Sequence, residues 1–159
     1  MKYLSNSAVL IFLLVCGALV SSCSSDDVNL ENILTPSQIL ASTPWETTGA
    51  RDNQGRVVPL TDPRVDEYTG FAYFRLNGTF DLYFPDLTPK LQGDWTVPAD
   101  GSTRTVVARD DAGTVLFTRV VDILTLTRQE FTYRIVPDEA NPTVFYDIIH
   151  TPTDQEEPR

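Results

Sequence analysis

The sequence is poor in cysteine and histidine. Both of its cysteines, Cys16 and Cys23, lie in the first 23 residues, and His150 is its one histidine. No disulfide can therefore form within the rest of the chain, which must be held together by packing. Zinc and other transition metals prefer thiolate and imidazole ligands. We predict neither a metal site nor a cofactor.

The same scarcity argues against catalysis. A serine or cysteine nucleophile needs a nearby base that a third group holds in place. His150, which we place near the end of a strand in an ordinary position, would have to serve alone. Acid–base catalysis needs two carboxylates that face each other, whereas adjacent acids such as Asp110 and Asp111 lie in predicted turns and point into water. We predict that the protein is not an enzyme.

Basic residues are also few. The chain has 12 Lys and Arg against 22 Asp and Glu, which gives a net charge of −10. An acidic protein repels the phosphate backbone of nucleic acids and the surface of anionic membranes. We therefore predict no binding of nucleic acid and no membrane docking by surface charge.

A long apolar run occurs only at the N-terminus, from Ala8 to Val20. This run follows the basic Lys2 and is too short to span a bilayer as a helix, but it has the length of a signal-peptide core. Its last residue opens the sequence Val-Ser-Ser-Cys, in which two small residues directly precede Cys23. These four residues resemble the lipobox of bacterial lipoproteins.

The lipobox resemblance implies cleavage between Ser22 and Cys23 and acylation of the Cys23 sulfur and amine. Two or more acyl chains hold a protein durably on a membrane, whereas one chain does not. We expect a lipid-anchored protein of the bacterial cell envelope, at the outer membrane or cell surface, that contacts the membrane through these chains. The alternative is an ordinary secretory signal that ends in a cysteine by chance.

The chain divides into four predicted parts. Residues 1–22 are the signal peptide, 23–29 are the lipidated cysteine and an acidic tether, 30–151 are the folded domain, and 152–159 are a polar tail that we expect to fray. Within the domain, Thr35 and Pro36 suit the N-cap and the first position of a short helix.

Turn residues recur every eight to twelve residues or so after Pro44, which predicts an all-β antiparallel sandwich or barrel. Asn77-Gly78 is the clearest hairpin turn. The predicted strands are Trp45–Arg51, Arg56–Leu60, Gly70–Leu76, Thr79–Phe84, Asp94–Pro98, Thr103–Arg109, Thr114–Leu126, Glu130–Val136 and Thr143–Thr151. Longer links are predicted at 61–68 and 85–92.

Several runs together resemble a known family. Trp45, Gly93-Asp94-Trp95 and the segment from Asp100 to Arg104 are similar to the lipocalin-like lipoproteins of bacteria. The segments 116–123, 131–135 and 146–153 are similar to the domain-of-unknown-function 4822 family. The resemblance implies a single lipocalin-like barrel, calycin-type, in a cell-envelope setting. It implies no activity, because that family has none assigned.

Arginines within predicted strands are the most informative candidates for a site. Arg119 shares an apolar face with Phe117 and Val121, and a charge there needs a partner or a route to water. Arg104, Arg119 and Arg134 either form cross-strand ion pairs or include one residue, Arg119 first, that binds an anionic ligand group. The candidate ligand-binding residues are Tyr73, Phe80, Trp95, Arg104, Phe117, Arg119, Phe131 and Tyr133, with core packing as the alternative for the aromatic ones.

Two functions remain open. In the first, the barrel binds a small, partly apolar or anionic ligand in its interior. In the second, the barrel is solid, and its loops contact another envelope protein or a glycan. An interior cavity well above ~300 Å³ favours the first function, and a much smaller one favours the second.

Overall fold

The structure, a computed structural model, describes residues 34–159. Eight antiparallel strands form a closed barrel in which each strand pairs with its neighbour in the chain and the last pairs with the first. The predicted all-β, lipocalin-like barrel is therefore confirmed. The predicted signal peptide, the predicted lipidation site Cys23 and the predicted acidic tether lie outside the described residues.

The elements follow the chain in order. They are α1 (Pro36–Leu40), β1 (Trp45–Asp52), the 3-10 helix η1 (Asp66–Tyr68), β2 (Phe71–Phe74), β3 (Thr79–Tyr83), β4 (Pro89–Thr96), β5 (Thr103–Arg109), β6 (Val115–Leu126), β7 (Phe131–Ile135) and β8 (Tyr146–Pro152). Among residues 34–159, no helix has both the length and the apolar character needed to cross a bilayer.

The short helix α1 packs against the end of the barrel where β1 begins, which we call the helix end. Thr35 and Gln38 form a reciprocal capping box at its start, as the sequence predicted for Thr35. Leu40 is fully buried, and its carbonyl oxygen accepts a hydrogen bond from the Trp45 indole nitrogen at 2.8 Å. The helix thereby closes this end of the barrel.

The half of the interior nearest the helix end is filled by aromatic side chains. Trp45, Phe80 and Phe131 are almost completely buried. Edge-to-face contacts join Trp45 to Phe131, with ring centroids 5.9 Å apart, and Phe74 to Trp95, 5.2 Å apart. Such pairs add to the stability that burial of their area already provides. This half of the barrel is a packed core.

The opposite end, which we call the loop end, carries the connection at residues 53–70. The predicted strand Arg56–Leu60 is wrong, since only one isolated bridge, between Arg51 and Val57, forms there. The Asp52 carboxylate accepts hydrogen bonds from the backbone nitrogens of Gln54 and Arg56, which turns the chain, and Pro59 has no N–H to continue a ladder. The segment instead crosses the loop end and buries Val65 completely.

Two other boundaries differ from the predicted ones by three residues or more. The link expected at 85–92 is shorter, because a tight turn between Phe84 and Thr88 allows β4 to begin at Pro89. Leu87 adopts a positive φ of 67° in this turn. The last strand begins at Tyr146, three residues later than predicted.

The C-terminal tail is packed against the barrel, so the expectation that it frays is wrong. Tyr73 lies on the outer face of β2, and its hydroxyl donates to the carbonyl oxygens of Gln155 and Glu156 at 3.1 and 3.2 Å. Arg75 pairs with Asp81 at 2.7 Å and also with Glu157. Side chains on β2 and in the turn after it therefore bind the tail, a long-range contact that local sequence patterns do not predict.

Gly93 in β4 is a point at which two strand backbones come unusually close. A Cβ atom at this position would lie 2.0 Å from the Val107 carbonyl oxygen, and φ is +155°. A side chain would therefore force β4 and β5 apart.

We predict that Gly93→Ala lowers the free energy of unfolding by about 3 kcal/mol or more, because it adds a backbone clash to an unfavourable φ. Gly113→Ala is the matched control, since Gly113 also has a positive φ, +82°, but no atom lies within 4 Å of an added Cβ. We expect the control to lose only about 1 kcal/mol. Urea unfolding measures both, and equal losses would contradict the close approach.

Candidate functional site

Arg104 is a buried cation in the barrel interior. It lies on β5 opposite Val121 of β6, on the face that points inward, and its side chain is 7% exposed. Its guanidinium carbon lies 4.5 Å from the ring centroid of Tyr133, 5.2 Å from that of Phe131 and 5.4 Å from that of Phe74. Three aromatic rings therefore surround the charge and contribute cation–π stabilisation.

The charge of Arg104 is not compensated by a direct ion pair within residues 34–159. Among the same residues, its Nε has no hydrogen-bond partner. Burial lowers the pKa of Arg104, although the Tyr133 side chain favours the charged form. An arginine stays protonated in proteins, and a buried charge without a partner costs several kcal/mol. A guanidinium with a free donor is chemically suited to bind a planar oxyanion.

Two small cavities flank the Arg104 guanidinium. Their volumes are about 30 and 50 Å³, and both are lined by Tyr68, Leu82, Lys90, Arg104 and Tyr133. Pockets for whole drug-sized ligands are roughly 300–1,000 Å³, so the interior is much too small for one. It has room for a few water molecules or one small anionic group.

Lys90 adds a second cation to the same space. Its ammonium nitrogen donates to the Thr69 carbonyl oxygen at 2.9 Å, and among the described residues it makes no ion pair within 4.0 Å. Burial lowers the pKa of Lys90 to about 8. Glu67 also lines the 50 Å³ cavity, so three cations, Lys90, Arg104 and Arg119, share that cavity with one carboxylate.

Arg119, the first choice from the sequence, is not the buried arginine. It shares the inward face with Arg104, but it pairs with Val106, two residues nearer the loop end. There its guanidinium lies 5.3 Å from the Tyr68 ring and 5.2 Å from the Phe117 ring and remains exposed. The alternation of apolar residues correctly predicted that Arg119 lies on the inward face of β6. Its position along the barrel axis depends on strand register, which alternation does not predict.

The cross-strand pairing predicted as the alternative holds for Arg134. Its guanidinium pairs with Asp147 of β8 at 2.8 Å. Asp94 also pairs across strands, but its partner is Arg109, at 2.7 Å. The three candidate arginines therefore divide into one ion-paired residue on the outside, one at the rim and one buried.

His150 lies near the end of β8, as the sequence predicted, but its side chain is buried in the interior. It lies on β8 opposite Phe131, and its Nε2 is 3.1 Å from the Thr47 hydroxyl oxygen. The Tyr133 ring stacks on the imidazole at a centroid distance of 5.3 Å. Burial, together with the nearby charge of Arg104, lowers the pKa of His150 to about 3.

The structure divides the eight candidate ligand-binding residues into three groups. Those that line the 50 Å³ cavity are Phe80, Arg104, Phe117, Arg119 and Tyr133. Trp95 and Phe131 belong to the packed core, and Tyr73 is wrongly included because it lies outside the barrel under the tail. Sequence reasoning missed Thr47, Tyr68, Lys90 and His150, and no motif in the sequence marks them.

A larger cleft lies on the outside of the barrel between β1, β2 and the connection at 53–70. We call it the seam cleft. Its volume is about 530 Å³, and its lining includes the apolar side chains of Leu60, Phe71 and Pro85 and the acidic ones of Glu46 and Asp66. Within residues 34–159, no group of three or more His, Cys, Asp and Glu is placed to hold a metal ion.

The family model of the domain of unknown function DUF4822 matches residues 37–159. The chain belongs to this family. The match covers the whole DUF4822 barrel, its capping helix except for Pro36, and the docked tail, which confirms the family resemblance seen in the sequence. The description of the family names no activity.

Two solved structures are similar to this chain at low identity. A lipocalin-like protein from Bacteroides uniformis is 12% identical, with a TM-score of 0.46, and the match covers 72% of this chain and 99% of that one. A biogenic amine-binding protein is also 12% identical, with a TM-score of 0.40, and the match covers 71% of this chain and 64% of that one. No curated protein shows significant similarity to this chain.

We predict that His150 makes the fold sensitive to acid. Between pH 6.5 and about 3 the unfolded chain takes up a proton on His150 that the folded chain does not, so the free energy of unfolding falls as the pH falls. From pH 7.5 to 5.0 the wild type should lose about 2 kcal/mol more than His150→Gln. Urea unfolding at both pH values measures this difference. Equal losses in the two proteins would show that His150 is free to charge in the fold.

Proposed function

We propose that this protein is a lipid-anchored protein of the bacterial cell envelope whose barrel binds the anionic group of a small ligand at Arg104. The observation that carries the proposal is an arginine that is 7% exposed and whose guanidinium forms no ion pair among the described residues. Its Nε is free to donate, next to cavities that Lys90 also lines.

The energetics favour an anion over an empty site. An unpaired buried charge is costly, whereas a charge-assisted hydrogen bond to a carboxylate or phosphate is about twice as strong as a neutral one. The guanidinium fork also suits planar oxyanions. Because three aromatic rings hold the guanidinium in place, little side-chain freedom is lost when an anion binds.

The lipid anchor is supported by the residues before the fold. The sequence Val20-Ser21-Ser22-Cys23 resembles a lipobox, and residues 24–33 separate the cysteine from the first described residue. An acyl anchor at Cys23 would place the domain close to a membrane that its acidic surface does not itself attract.

A solid barrel that acts through its loops is the second candidate. It is favoured by cavities of only about 30 and 50 Å³ and by the aromatic core of the helix end. The contact surface would then be the connection at 61–68 and the turn at 84–88, with another envelope protein or a glycan as partner. This function leaves the unpaired charge of Arg104 without a role.

We predict that formate raises the melting temperature of the wild-type protein and that Arg104→Met removes this rise, because the anion binds the folded state at the guanidinium. Without formate, Arg104→Met should be more stable than the wild type by about 2 kcal/mol, since an apolar side chain replaces an unpaired charge. Thermal melting at rising formate concentration, at constant ionic strength, measures both effects.

Arg51→Gln is the control for this experiment, since Arg51 is exposed on β1 and its loss changes the net charge equally. We expect this variant to keep the full response to formate. An equal response in all three proteins would mean that formate acts as a general salt, and anion recognition at Arg104 would then be wrong.

For the anchor, we predict that Cys23→Ser abolishes incorporation of labelled palmitate and leaves the signal peptide uncleaved, because the thiol is the group that accepts lipid. Cys16→Ser is the matched control, since Cys16 lies in the signal core. Labelling and gel mobility in the bacterial host measure both variants. Normal labelling of Cys23→Ser would contradict anchoring at this residue.

A further inference from the structure

The strand pairing of the barrel is shortest between β1 and β2. Only two residue pairs join these strands, Trp45 with Ala72 and Glu46 with Phe71, whereas β1 and β8 are paired along their full length. Beyond Glu46 the contact continues through the Thr47 backbone nitrogen, which donates to the Gly70 carbonyl oxygen at 2.9 Å. After that point the connection at 53–70 diverges from β1 and leaves the seam cleft outside.

The seam cleft and the interior share a wall that is one residue thick. Thr47, Thr69, Gly70 and Phe71 line both the 530 Å³ cleft outside and the 30 Å³ cavity inside. On the inner side, the Thr47 hydroxyl oxygen lies 3.1 Å from His150, and the Lys90 ammonium group donates to the Thr69 carbonyl oxygen. Polar donors therefore lie directly behind an apolar surface.

The two spaces have complementary sizes. The interior takes one anionic group and no more, whereas the seam cleft has the volume of an ordinary small-molecule site. Its apolar lining, Leu60, Phe71 and Pro85, suits an uncharged body of aromatic or aliphatic character. A ligand that uses both spaces must be amphipathic.

The acidic rim of the seam cleft restricts the charge of that body. Glu46 and Asp66 both line the cleft, and neither forms an ion pair among the described residues. A second anionic group on the body would lie close to these carboxylates and be repelled. The rim therefore selects against dianions.

We propose that the ligand of this protein is an amphipathic monoanion whose charged head lies between Lys90 and Arg104 and whose uncharged body fills the seam cleft. The proposal rests on the proposed function and adds the class of ligand and its route, which requires Thr47 to separate from Gly70 where their backbone hydrogen bond closes the wall. In the bound state the head accepts hydrogen bonds from the Lys90 ammonium group and the Thr47 hydroxyl. In the structure the ammonium group donates to the Thr69 carbonyl oxygen, and the hydroxyl lies within hydrogen-bonding distance of the carbonyl oxygens of Tyr68 and Gly70.

Four probes separate the parts of this proposal. 4-Phenylbutyrate has both the charged head and the apolar body. Acetate has the head alone, and 4-phenylbutanol has the body without the charge. 1,4-Phenylenedipropionate has the body with a carboxylate at each end. Isothermal titration uses the processed protein in nanodiscs of zwitterionic lipid, with empty nanodiscs as the blank. We expect phenylbutyrate to bind at least about tenfold more tightly than each of the other three.

Variants of the cleft test where the body lies. Phe71→Ala should weaken phenylbutyrate about tenfold and leave acetate unchanged. Since Phe71 is half-buried, Pro85→Glu is a second variant that adds a charge at an exposed position of the cleft wall, with the same expected result. Pro98→Glu, exposed between β4 and β5 at the helix end, is the matched control and should bind phenylbutyrate as the wild type does.

A double variant tests the acidic rim of the seam cleft. Combining Glu46→Gln with Asp66→Asn should strengthen binding of the dianion about tenfold and leave binding of phenylbutyrate unchanged.

If acetate binds as tightly as phenylbutyrate, and both depend on Arg104, the seam proposal is wrong and anion recognition stands. If no probe depends on Arg104, both proposals are wrong. Binding of phenylbutanol equal to that of phenylbutyrate would exclude a role for the charged head.

Discussion

The interaction on which the site depends is the contact between the Arg104 guanidinium and the three aromatic rings around it. The rings of Tyr133, Phe131 and Phe74 lie 4.5 to 5.4 Å from the guanidinium carbon and stabilise the charge without neutralising it. A carboxylate in the same place would satisfy the arginine and remove its affinity for an outside anion. The barrel therefore keeps a cation buried, positioned and available.

Closure of the barrel makes this arrangement possible. Because each of the eight strands pairs with two neighbours, most of their backbone hydrogen bonds are satisfied within the wall, and inward side chains decide what the interior contains. Aromatic side chains fill the interior at the helix end and pack against the site from that side. Towards the loop end, Lys90 and Arg119 replace apolar residues, so the cavity becomes polar in the direction of solvent. The short pairing of β1 with β2 leaves the thin seam beside it.

Local patterns in the sequence were enough for the fold and for part of the site. Turn residues and alternation predicted seven of the observed strands near their positions, and most of the interior aromatics, because both signals depend on neighbouring residues. They failed where distant residues decide the outcome. The tail is bound by Tyr73, more than 80 residues earlier in the chain. The depths of Arg104 and His150 follow from strand register, and Lys90 turns inward at an irregularity in the pairing of β3 with β4.

The central claim is that the buried guanidinium of Arg104 is an anion site, and the most direct measurement is the anomalous scattering of bromide in crystals grown from sodium bromide. The account predicts a bromide peak inside the barrel, at hydrogen-bonding distance from the Arg104 Nε and beside the Lys90 ammonium group. Peaks confined to the outer surface, with only ordered water next to Arg104, would contradict it.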